Sequence, residues 1–436
     1  MRKAAFALIL LQILLACLFI GWLILFITQP IHLTNDAEGY LTDAKSLFDP
    51  SYQTMRPVLF PFCLRVLSTL GLKLSVTAYL INAAGLLYFI RETSGKWFSL
   101  PNTLILIGYF LLTGIWSYCG TCLTESILLS VELWIFIFLT RMFFPKRTQA
   151  VWVTVVYALL ICVLGITLKP WIMLMVILTG ILLVLASLFL QAFRTKRLPA
   201  CILLAVSVGS FALSLHYNRS KSAEVANIVM LMISSGNEGK LRDRLQNDKG
   251  LTPDSAAFIA TLVSDIDVIN QQYNGNAWKA STERAVKILN IWDKDDIPLI
   301  NKAFHLMYFD HTRDALGLVV LSVRRYLLDL RVGTVCLNMT YTPELPGLRA
   351  FAIPAFLVIF AGFAVYGFLR RGPPRLFTDP LAVFTAAILL ASAAFCLFLS
   401  LAGANELERN VLPGVLFQLF ALTYLLNTRV AAGSYA

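Results

Sequence analysis

Apolar runs of about 17–25 residues, the length that crosses roughly 30 Å of hydrocarbon as a helix, recur from one end of the chain to the other. Of its 436 residues, 58% are hydrophobic and only 14% are charged. A soluble domain of this length carries about 25% charged residues. The sequence therefore predicts a polytopic membrane protein, not a soluble protein with a single anchor.

The predicted fold class is an all-α polytopic membrane protein with about 10 transmembrane helices, or 11 if one run has been overlooked. Interfacial helices are predicted in the first outer loop, together with a mostly helical segment outside the membrane. The two spans around Lys169-Pro170 are also compatible with one broken hairpin. The predicted spans lie near 5–28, 75–90, 101–117, 123–140, 151–168, 171–190, 199–215, 349–369, 380–401 and 410–428.

Two apolar segments need separate interpretation. Residues 58–72 carry Arg65, and Lys73 follows directly, so they predict an amphipathic helix that lies at the membrane interface. The first apolar run is longer than a usual signal-peptide core, and no small-residue cleavage site precedes Gln29-Pro30. We therefore expect this run to be retained as the first span.

Basic residues between the spans predict the orientation of the chain. With the N-terminus in the cytoplasm, six short cytoplasmic segments hold 14 Lys and Arg residues and only two acids, Glu92 and Asp379. Lys and Arg in short loops set the orientation during insertion, so both termini are predicted to be cytoplasmic. The net charge of +11 is explained by the same bias. No basic-aromatic patch of the kind that binds nucleic acid is present in the sequence.

Three regions follow from this topology. Residues 1–215 are predicted to form an N-terminal transmembrane module, in which the first outer loop, 29–74, carries the catalytic residues. Residues 216–348 are polar and mixed in charge, and they are predicted to form a mainly helical segment outside the cytoplasm. Residues 349–436 are predicted to form a C-terminal transmembrane module.

The first outer loop carries two acids two residues apart, Asp36 and Glu38. Ionisable residues at membrane depth are costly and are therefore candidates for function. Asn35 is a good N-cap, and Glu38 follows it by three residues as in a capping box, so Glu38 also has a structural explanation. Asp36 would then lie in the first turn, where the positive helix end favours a carboxylate. Such a helix would show Tyr40 on its apolar face.

Other charged residues lie at the outer ends of predicted spans. Glu125 opens one span, and Glu132 lies two turns deeper on the same face, which indicates a polar cavity or, for Glu125, compensation of the helix dipole. Lys169 separates two apolar runs and either binds an anion or extends to the head groups. Arg409 follows Glu408 before the last span, where a salt bridge is the structural alternative.

The sequence lacks the patterns of metal and nucleotide sites. Cys119 and Cys122 form a CxxC without a second such pair or a pair of neighbouring histidines, so no zinc site is predicted. A local disulfide between these two cysteines stays open. No glycine-rich phosphate loop, GxSxG or HExxH motif occurs. We therefore predict neither a metal nor a cofactor.

At this point the ordered motifs resemble those of the GT-C glycosyltransferases, in the branch that includes protein O-mannosyltransferases and the lipid A aminoarabinose transferase. Asp36-x-x-x-Tyr40 and Arg56-Pro57-x-Leu59-x-Pro61 are similar to the first outer loop of that class. Thr124-Glu125, Leu168-Lys169-Pro170 and Glu408-Arg409-Asn410 resemble its later motifs. Lys169 stands where that class has Arg, and Asn410 stands where Tyr is usual.

The resemblance implies a sugar transfer from a polyprenyl-phosphate carrier to an acceptor glycan, lipid or protein. The reaction would occur on the periplasmic face of a bacterial inner membrane, without nucleic acid. Asp36 would act as the general base, with Glu38 as the second candidate. Tyr40, Glu125 and Glu408 would contact the substrates. The cations expected at the donor phosphate are Arg56, Lys169, Arg409, Arg324 and Arg325.

Two other functions fit parts of the sequence. An O-antigen ligase or polymerase also uses polyprenyl-linked glycans and has a large outer loop, but it would leave the acid of the first loop unexplained. A lipid-linked sugar flippase or secondary transporter would need polar or broken helices at mid-membrane and often an inverted repeat. Glu132 is the main mid-span charge, and no repeat is visible. The outward set of acids and cations favours the transferase.

Overall fold

A computed structural model of the chain describes residues 2–34, 36–49, 57–146, 148–217, 238–247, 252–273, 378–402 and 407–431, with a few single positions between 320 and 365. Every regular element within these ranges is helical. The one extended contact there is an isolated parallel bridge between His32 and Thr121. The prediction of an all-α chain is confirmed for these residues.

The helices are numbered in chain order over the described residues. Two short 3-10 turns, Tyr118–Gly120 and Gln191–Lys196, interrupt the series. The α-helices are α1 (Arg2–Thr28), α2 (Ala37–Ser46), α3 (Leu59–Thr69), α4 (Leu74–Ser94), α5 (Leu100–Leu111), α6 (Thr113–Ser117), α7 (Glu125–Phe143), α8 (Val151–Leu168), α9 (Ile172–Phe189), α10 (Arg197–Tyr217), α11 (Glu238–Asn247), α12 (Pro253–Tyr273), α13 (Pro380–Ala402) and α14 (Leu407–Ala431).

Seven helices in the described ranges are long and apolar enough to cross a membrane. They support a helical multi-pass membrane protein, but not the predicted count of about 10 spans. The chain around Lys169-Pro170 forms two helices, Val151–Leu168 and Ile172–Phe189, each long and apolar enough to cross a membrane, and the alternative of a broken hairpin stays open. The seven are Ala5–Thr28, Leu74–Ser94, Glu125–Phe143, Val151–Leu168, Ile172–Phe189, Gln191–Ser214 and Pro380–Leu397.

The three other predicted spans differ from this set for separate reasons. The run 101–117 is bent, because Leu112 leaves the helical conformation (φ −73°, ψ 81°) and Leu100–Leu111 meets the following turn at 59°. This bent pair makes an eighth span if it is counted as one. The run 410–428 contains the shorter apolar helix Leu412–Thr428. The run 349–369 lies outside the continuous described ranges.

Helix α7 is the most buried of the seven, with 83% of its apolar window inside the protein. Near its middle, the Phe136 ring lies 5.7 Å from Phe89 on α4, 6.4 Å from Phe384 on α13 and 6.0 Å from Phe420 on α14. Aromatic rings at these centroid distances pack edge to face. This aromatic cluster fixes the packing of the four helices around Phe136.

A buried amide joins α4 to α7. Asn82 on α4 donates from Nδ2 to the carbonyl oxygen of Ser126 (2.7 Å), and its Oδ1 accepts from the backbone N–H of Ser130 (3.0 Å). Close to this contact, a Cβ placed on Gly85 would lie 3.1 Å from Ser130 Oγ. The small residue and the amide together allow the two helices to approach closely.

At the opposite end, α4 and α7 are joined by ion pairs. Arg141 on α7 donates from Nε to Glu92 Oε1 (3.1 Å) and from Nη2 to the Tyr88 hydroxyl (2.6 Å). Lys146 Nζ lies 3.1 Å from the other Glu92 oxygen. The packing of α4 against α7 is therefore fixed by the buried amide of Asn82 and by these charged contacts at the opposite end. The cytoplasmic location predicted for Glu92, Arg141 and Lys146 stays a prediction.

The segment between α1 and α4 contains two helices that pack against each other. The Tyr40 ring of α2 lies 5.1 Å from the Phe60 ring of α3, at 90°. Phe60 and Leu64 form the buried face of α3, whereas Arg65 is exposed. The predicted amphipathic helix over 58–72 is therefore present as α3, and its location at a membrane interface stays a prediction.

The end of α1 is held by a lysine side chain. Lys73 Nζ donates to the carbonyl oxygens of Ile27 (2.9 Å) and Gln29 (2.6 Å), where α1 has no further helical N–H groups to offer. Deeper along α1, the Tyr79 hydroxyl donates to the carbonyl of Phe19 (2.8 Å). Helix α1 is therefore tied to α4 at two depths.

The chain divides into two compact units. One comprises Met1–Tyr217, Gly333–Phe395 and Leu412–Ala436, and the other comprises Asn218–Val332 and Cys396–Val411. Within the second unit, the described helices α11 and α12 pack together, and Arg242 pairs with Asp267. Within the first, Tyr109 of α5 shares a hydrogen bond with Thr423 of α14 (2.9 Å). The predicted regions 1–215, 216–348 and 349–436 stay a prediction.

The contact of α9 with α10 provides a test of the packing. A Cβ on Gly180 would lie 3.3 Å from Leu204 Cα, whereas one on Gly209 would meet nothing within 4 Å. We expect Gly180→Leu to lower the unfolding free energy by about 1–3 kcal/mol, because the larger side chain forces the backbones apart. The matched variant Gly209→Leu should stay within about 0.5 kcal/mol. Thermal unfolding in one detergent measures both; equal losses would contradict the described contact.

Candidate functional site

The segment 29–74, predicted to be the first outer loop, is hydrogen-bonded to the turn before α7. The His32 N–H donates to the carbonyl of Gly120 (2.8 Å), and the His32 carbonyl accepts from the N–H of Cys122 (3.2 Å). Asp36 follows His32 by four residues, and Glu125 follows Cys122 by three. Both acids therefore lie at the same end of α7.

The acids of α2 lie on different faces of the helix. Structurally, α2 begins at Ala37, so Asp36 occupies the N-cap position rather than the first turn. Its side chain makes no capping hydrogen bond, and the predicted cap Asn35 is outside the described residues. Asp36 is half-buried, whereas Glu38 is exposed. Of the two predicted catalytic acids, Asp36 is thus the less exposed.

A third acid of α2 was missed by the sequence analysis. Asp43 is 2% exposed, and seven residues separate it from Asp36, so both lie on one face together with Tyr40. Tyr40 itself is buried and packs on Phe60, which gives it a structural contact beside its predicted role at the substrate. The helical spacing of Asp36, Tyr40 and Asp43 in the sequence is the signal that could have identified this face.

An apolar cavity of about 250 Å³ lies next to α2 and α3. Its walls include Leu41 and Ala44 of α2, Leu64 and Leu67 of α3, and Leu74 at the start of α4. Asp36 precedes the helix that forms one wall, but Asp36, Glu38 and Asp43 are not among the residues that line the cavity. Most of the cavity wall therefore belongs to the predicted catalytic segment 29–74, without the acids of that segment.

Three cations lie among the apolar walls of this cavity: Lys45, Arg65 and Lys73. Lys73 is occupied by the two carbonyls at the end of α1. Lys45 and Arg65 are exposed, and neither forms an ion pair with another residue of the described ranges. An apolar cavity with exposed cations suits a lipid phosphate. The phosphate group of such a molecule binds Arg and Lys strongly, and its hydrocarbon chain is stabilised by an apolar surface.

Glu125 and Lys169 form a buried ion pair. Lys169 Nζ contacts Glu125 Oε1, and the two side chains are 13% and 0% exposed. The other oxygen, Oε2, accepts from the Thr124 hydroxyl (3.1 Å). Lys169 lies in the break between α8 and α9, in an extended conformation. The pair thus joins this break to the start of α7.

The Glu125 partnership changes what Lys169 can do. Lys169 is predicted from the sequence to bind the donor phosphate and Glu125 to bind the substrate, whereas the contact between them has no signal in the sequence. A phosphate would have to compete with the Glu125 carboxylate for this ammonium. Both assignments stay predictions, and the observed role is to join α7 to the α8–α9 break.

Glu132 lies two turns, roughly 10 Å, below Glu125 on the same face of α7. It is 0% exposed, and neither carboxyl oxygen has a hydrogen-bond partner among the described residues. Because α7 runs as one helix through both positions, the seven-residue spacing places the two acids on one face. Their predicted polar role stays a prediction.

The CxxC cysteines are free thiols. Cys119 is buried, accepts a hydrogen bond from Asn82 Nδ2 (3.3 Å) and belongs to the helix contact described above. Cys122 lines the cavity, and burial raises the pKa of its thiol to about 11. A thiol with this pKa is mostly protonated at neutral pH and is a poor nucleophile. The described geometry gives both cysteines structural positions.

The remaining predicted cations and one predicted contact cannot be placed. Arg56, Arg324 and Arg325 lie outside the described residues. Glu408 and Arg409 belong to the first turn of α14, and their side chains lie outside the description. Their predicted roles stay predictions. Conversely, Lys45 was not selected from the sequence, because a single lysine on a short helix carries no motif.

No family model, no curated protein and no solved structure matches this chain. Its function must therefore be inferred from the residues of the site.

The buried pair gives a sharp test of the site. Removing one member of a buried ion pair leaves an unpaired charge and costs about 3–5 kcal/mol. We expect Glu125→Gln and Lys169→Met each to lower the unfolding free energy by that amount, and the double variant to recover most of it. Unfolding of the four proteins in one detergent measures the coupling. If the two losses simply add, Glu125 and Lys169 do not depend on each other.

Proposed function

We propose that this protein is a GT-C type glycosyltransferase that moves a sugar from a polyprenyl-phosphate carrier to an acceptor glycan, lipid or protein. The observation that carries the proposal is the apolar cavity beside α2, which combines hydrocarbon walls with the exposed cations Lys45 and Arg65. A lipid phosphate needs both kinds of surface at once. Asp36 stands at the start of the helix that forms one of these walls.

The proposed chemistry is a single displacement. The acceptor hydroxyl oxygen attacks the anomeric carbon, and the bond from that carbon to the phosphate oxygen breaks. The hydroxyl proton passes to the Asp36 carboxylate, and the carrier leaves as polyprenyl phosphate. A positioned general base contributes typically about 10²–10⁴-fold to such a step. Attack opposite the leaving phosphate would invert the anomeric centre.

The leaving phosphate gains negative charge, which cations stabilise. Arg65 and Lys45 are the best supported of these cations, because both line the cavity and have no ionic partner in the described ranges. The sequence-based candidates Arg56, Arg409, Arg324 and Arg325 add to this proposal on the resemblance alone. For Lys169 to bind the donor phosphate, the phosphate would have to replace Glu125 as the partner of its ammonium group.

The finer topology belongs to the same proposal. We place ten spans in a bacterial inner membrane, with both termini in the cytoplasm and the cavity facing the periplasm. The loop distribution of Lys and Arg supports this orientation. Two of the ten spans, 349–369 and 410–428, rest on apolar length in the sequence.

A second candidate function is a lipid-linked sugar flippase or secondary transporter. The buried carboxyl of Glu132, which has no hydrogen-bond partner among the described residues, favours it, because acids within the membrane commonly serve transport pathways. An assay of lipid translocation in liposomes, run beside the transfer assay, separates the two functions. The cavity with its cations suits either one, and the acid on α2 favours transfer.

The catalytic proposal is tested on α2. We expect Asp36→Asn to lower the transfer rate by about 10²-fold or more, because the amide cannot accept the proton. Asp49→Asn, which makes the same charge change in the same loop, should keep the activity. Membrane insertion and unfolding of each variant are measured in parallel. Loss of activity in Asp43→Asn but not in Asp36→Asn would move the base to Asp43.

The donor site is tested by direct binding. Loss of a charge-assisted hydrogen bond costs about 1.5–3 kcal/mol, so Arg65→Ala should weaken binding of a short polyprenyl phosphate about tenfold or more. Lys96→Ala, at the opposite end of α4, removes the same charge and should leave the affinity unchanged. Calorimetry with the phosphate and with the uncharged alcohol measures the difference. Equal affinities in both variants would exclude this cavity as the phosphate site.

A further inference from the structure

Glu132 stands out among the polar groups of the described spans. Its side chain has no exposed surface, and both carboxyl oxygens lack a hydrogen-bond partner in the described ranges. An isolated carboxylate without hydrogen bonds is far more costly to bury than a neutral carboxyl group. Glu125, on the same face, avoids this cost through Lys169 and Thr124. Glu132 has neither kind of partner among the described residues, so it avoids the cost of a buried charge only if its carboxyl group is neutral.

Glu132 forms no ion pair with a residue of the described ranges. On its face of α7, the Lys169 ammonium is held by Glu125, roughly 10 Å toward the start of the helix. Arg141 on α7 lies nine residues away toward the opposite end and pairs with Glu92 of α4. The titratable groups on elements packed against α7 also include Tyr79, Tyr88 and Arg91 of α4, Cys119 of the adjoining turn, Tyr157 and Cys162 of α8, and Tyr424 of α14.

Lys169 is already used, because its ammonium contacts Glu125. The two acids are seven residues apart on α7, roughly 10 Å along the axis. Lys169 sits in the break between two helices, where it carries a flexible four-carbon stem. Lys169 therefore pairs with Glu125 at the start of α7, while Glu132 lies deeper on the same face without a partner among the described residues. One ammonium can neutralise only one of these two carboxylates at a time.

We propose that Glu132 is a proton-binding site within the membrane, and that loss of its proton creates a second carboxylate that competes with Glu125 for Lys169. The carboxyl O–H bond breaks, and the proton leaves to water at the outer end of α7. The remaining negative charge draws the ammonium inward, and the Glu125 pair weakens. Proton occupancy of Glu132 thus sets the partner of Lys169. This assignment does not depend on the proposed transfer reaction.

Infrared spectroscopy of the full chain in lipid tests the proposal. A protonated carboxyl group has its own carbonyl band, distinct from that of a carboxylate. We expect the wild type at neutral pH to show this band and Glu132→Gln to lose it. Glu125→Gln, which removes an acid that is already paired, should keep it. A wild type without the band, or a Glu132→Gln spectrum that retains it, would overturn the proposal.

A chemical probe covers the case in which Glu132→Gln does not fold. Hydrophobic carbodiimides modify protonated carboxyl groups in apolar surroundings, and peptide mass spectrometry locates the adduct. We expect an adduct on Glu132 and none on Glu125 in the wild type. Lys169→Met leaves Glu125 without its cation and should make it reactive, which proves access of the reagent. Modified Glu125 in that variant beside unmodified Glu132 in the wild type would refute the proton site.

Discussion

The hydrogen bonds from Asn82 to the backbone of α7 determine where the rest of the site lies. An amide in an apolar interior is costly unless its donors and acceptor are satisfied. Asn82 meets this demand only while α4 and α7 keep their present register, because its contacts are Ser126 and Ser130. That register fixes the depth of Glu125 and Glu132 and the position of the turn that His32 contacts.

Two kinds of cation occupy the end of the helices that carries the cavity. Lys169 is buried and paired with Glu125, so its charge is balanced within the protein. Lys45 and Arg65 are exposed beside an apolar cavity, so their charges remain available to an incoming anion. The first arrangement serves helix packing, and the second suits ligand binding. Asp36 and Glu125 were both selected because each is an acid at the predicted outer end of a span. Glu125 is engaged by Lys169, whereas the predicted role of Asp36 is proton transfer.

Much of the helical architecture could be predicted from the sequence, because the length of an apolar run is a local property. The amphipathic helix α3 followed from the single charge of Arg65 in an apolar segment. Other features depend on distant contacts and left no local signal. The pairing of Glu125 with Lys169 joins residues 44 positions apart, and the bend at Leu112 occurs without a proline.

The candidate site shows the same limit. Asp36 was selected from a short motif, and it is half-buried whereas Glu38 is exposed; its catalytic role stays a prediction. The buried Asp43 lies outside the quoted motif, and only the helical face that continues from Asp36 and Tyr40 identifies it. Lys45 and Arg65 meet at a cavity formed by two helices, and no pattern within either helix reveals that meeting.

The contact of Lys73 with the end of α1 has a consequence for the bilayer itself. The span Ala5–Thr28 has 24 residues, so it is about 36 Å long and exceeds a hydrocarbon layer of roughly 30 Å, which a helix accommodates by tilting. Lys73 donates hydrogen bonds to the carbonyls of Ile27 and Gln29 at the end of this helix, and it also lines the cavity. A thicker bilayer would straighten α1 and pull on that ammonium, so lipid thickness would tune the shape of the cavity.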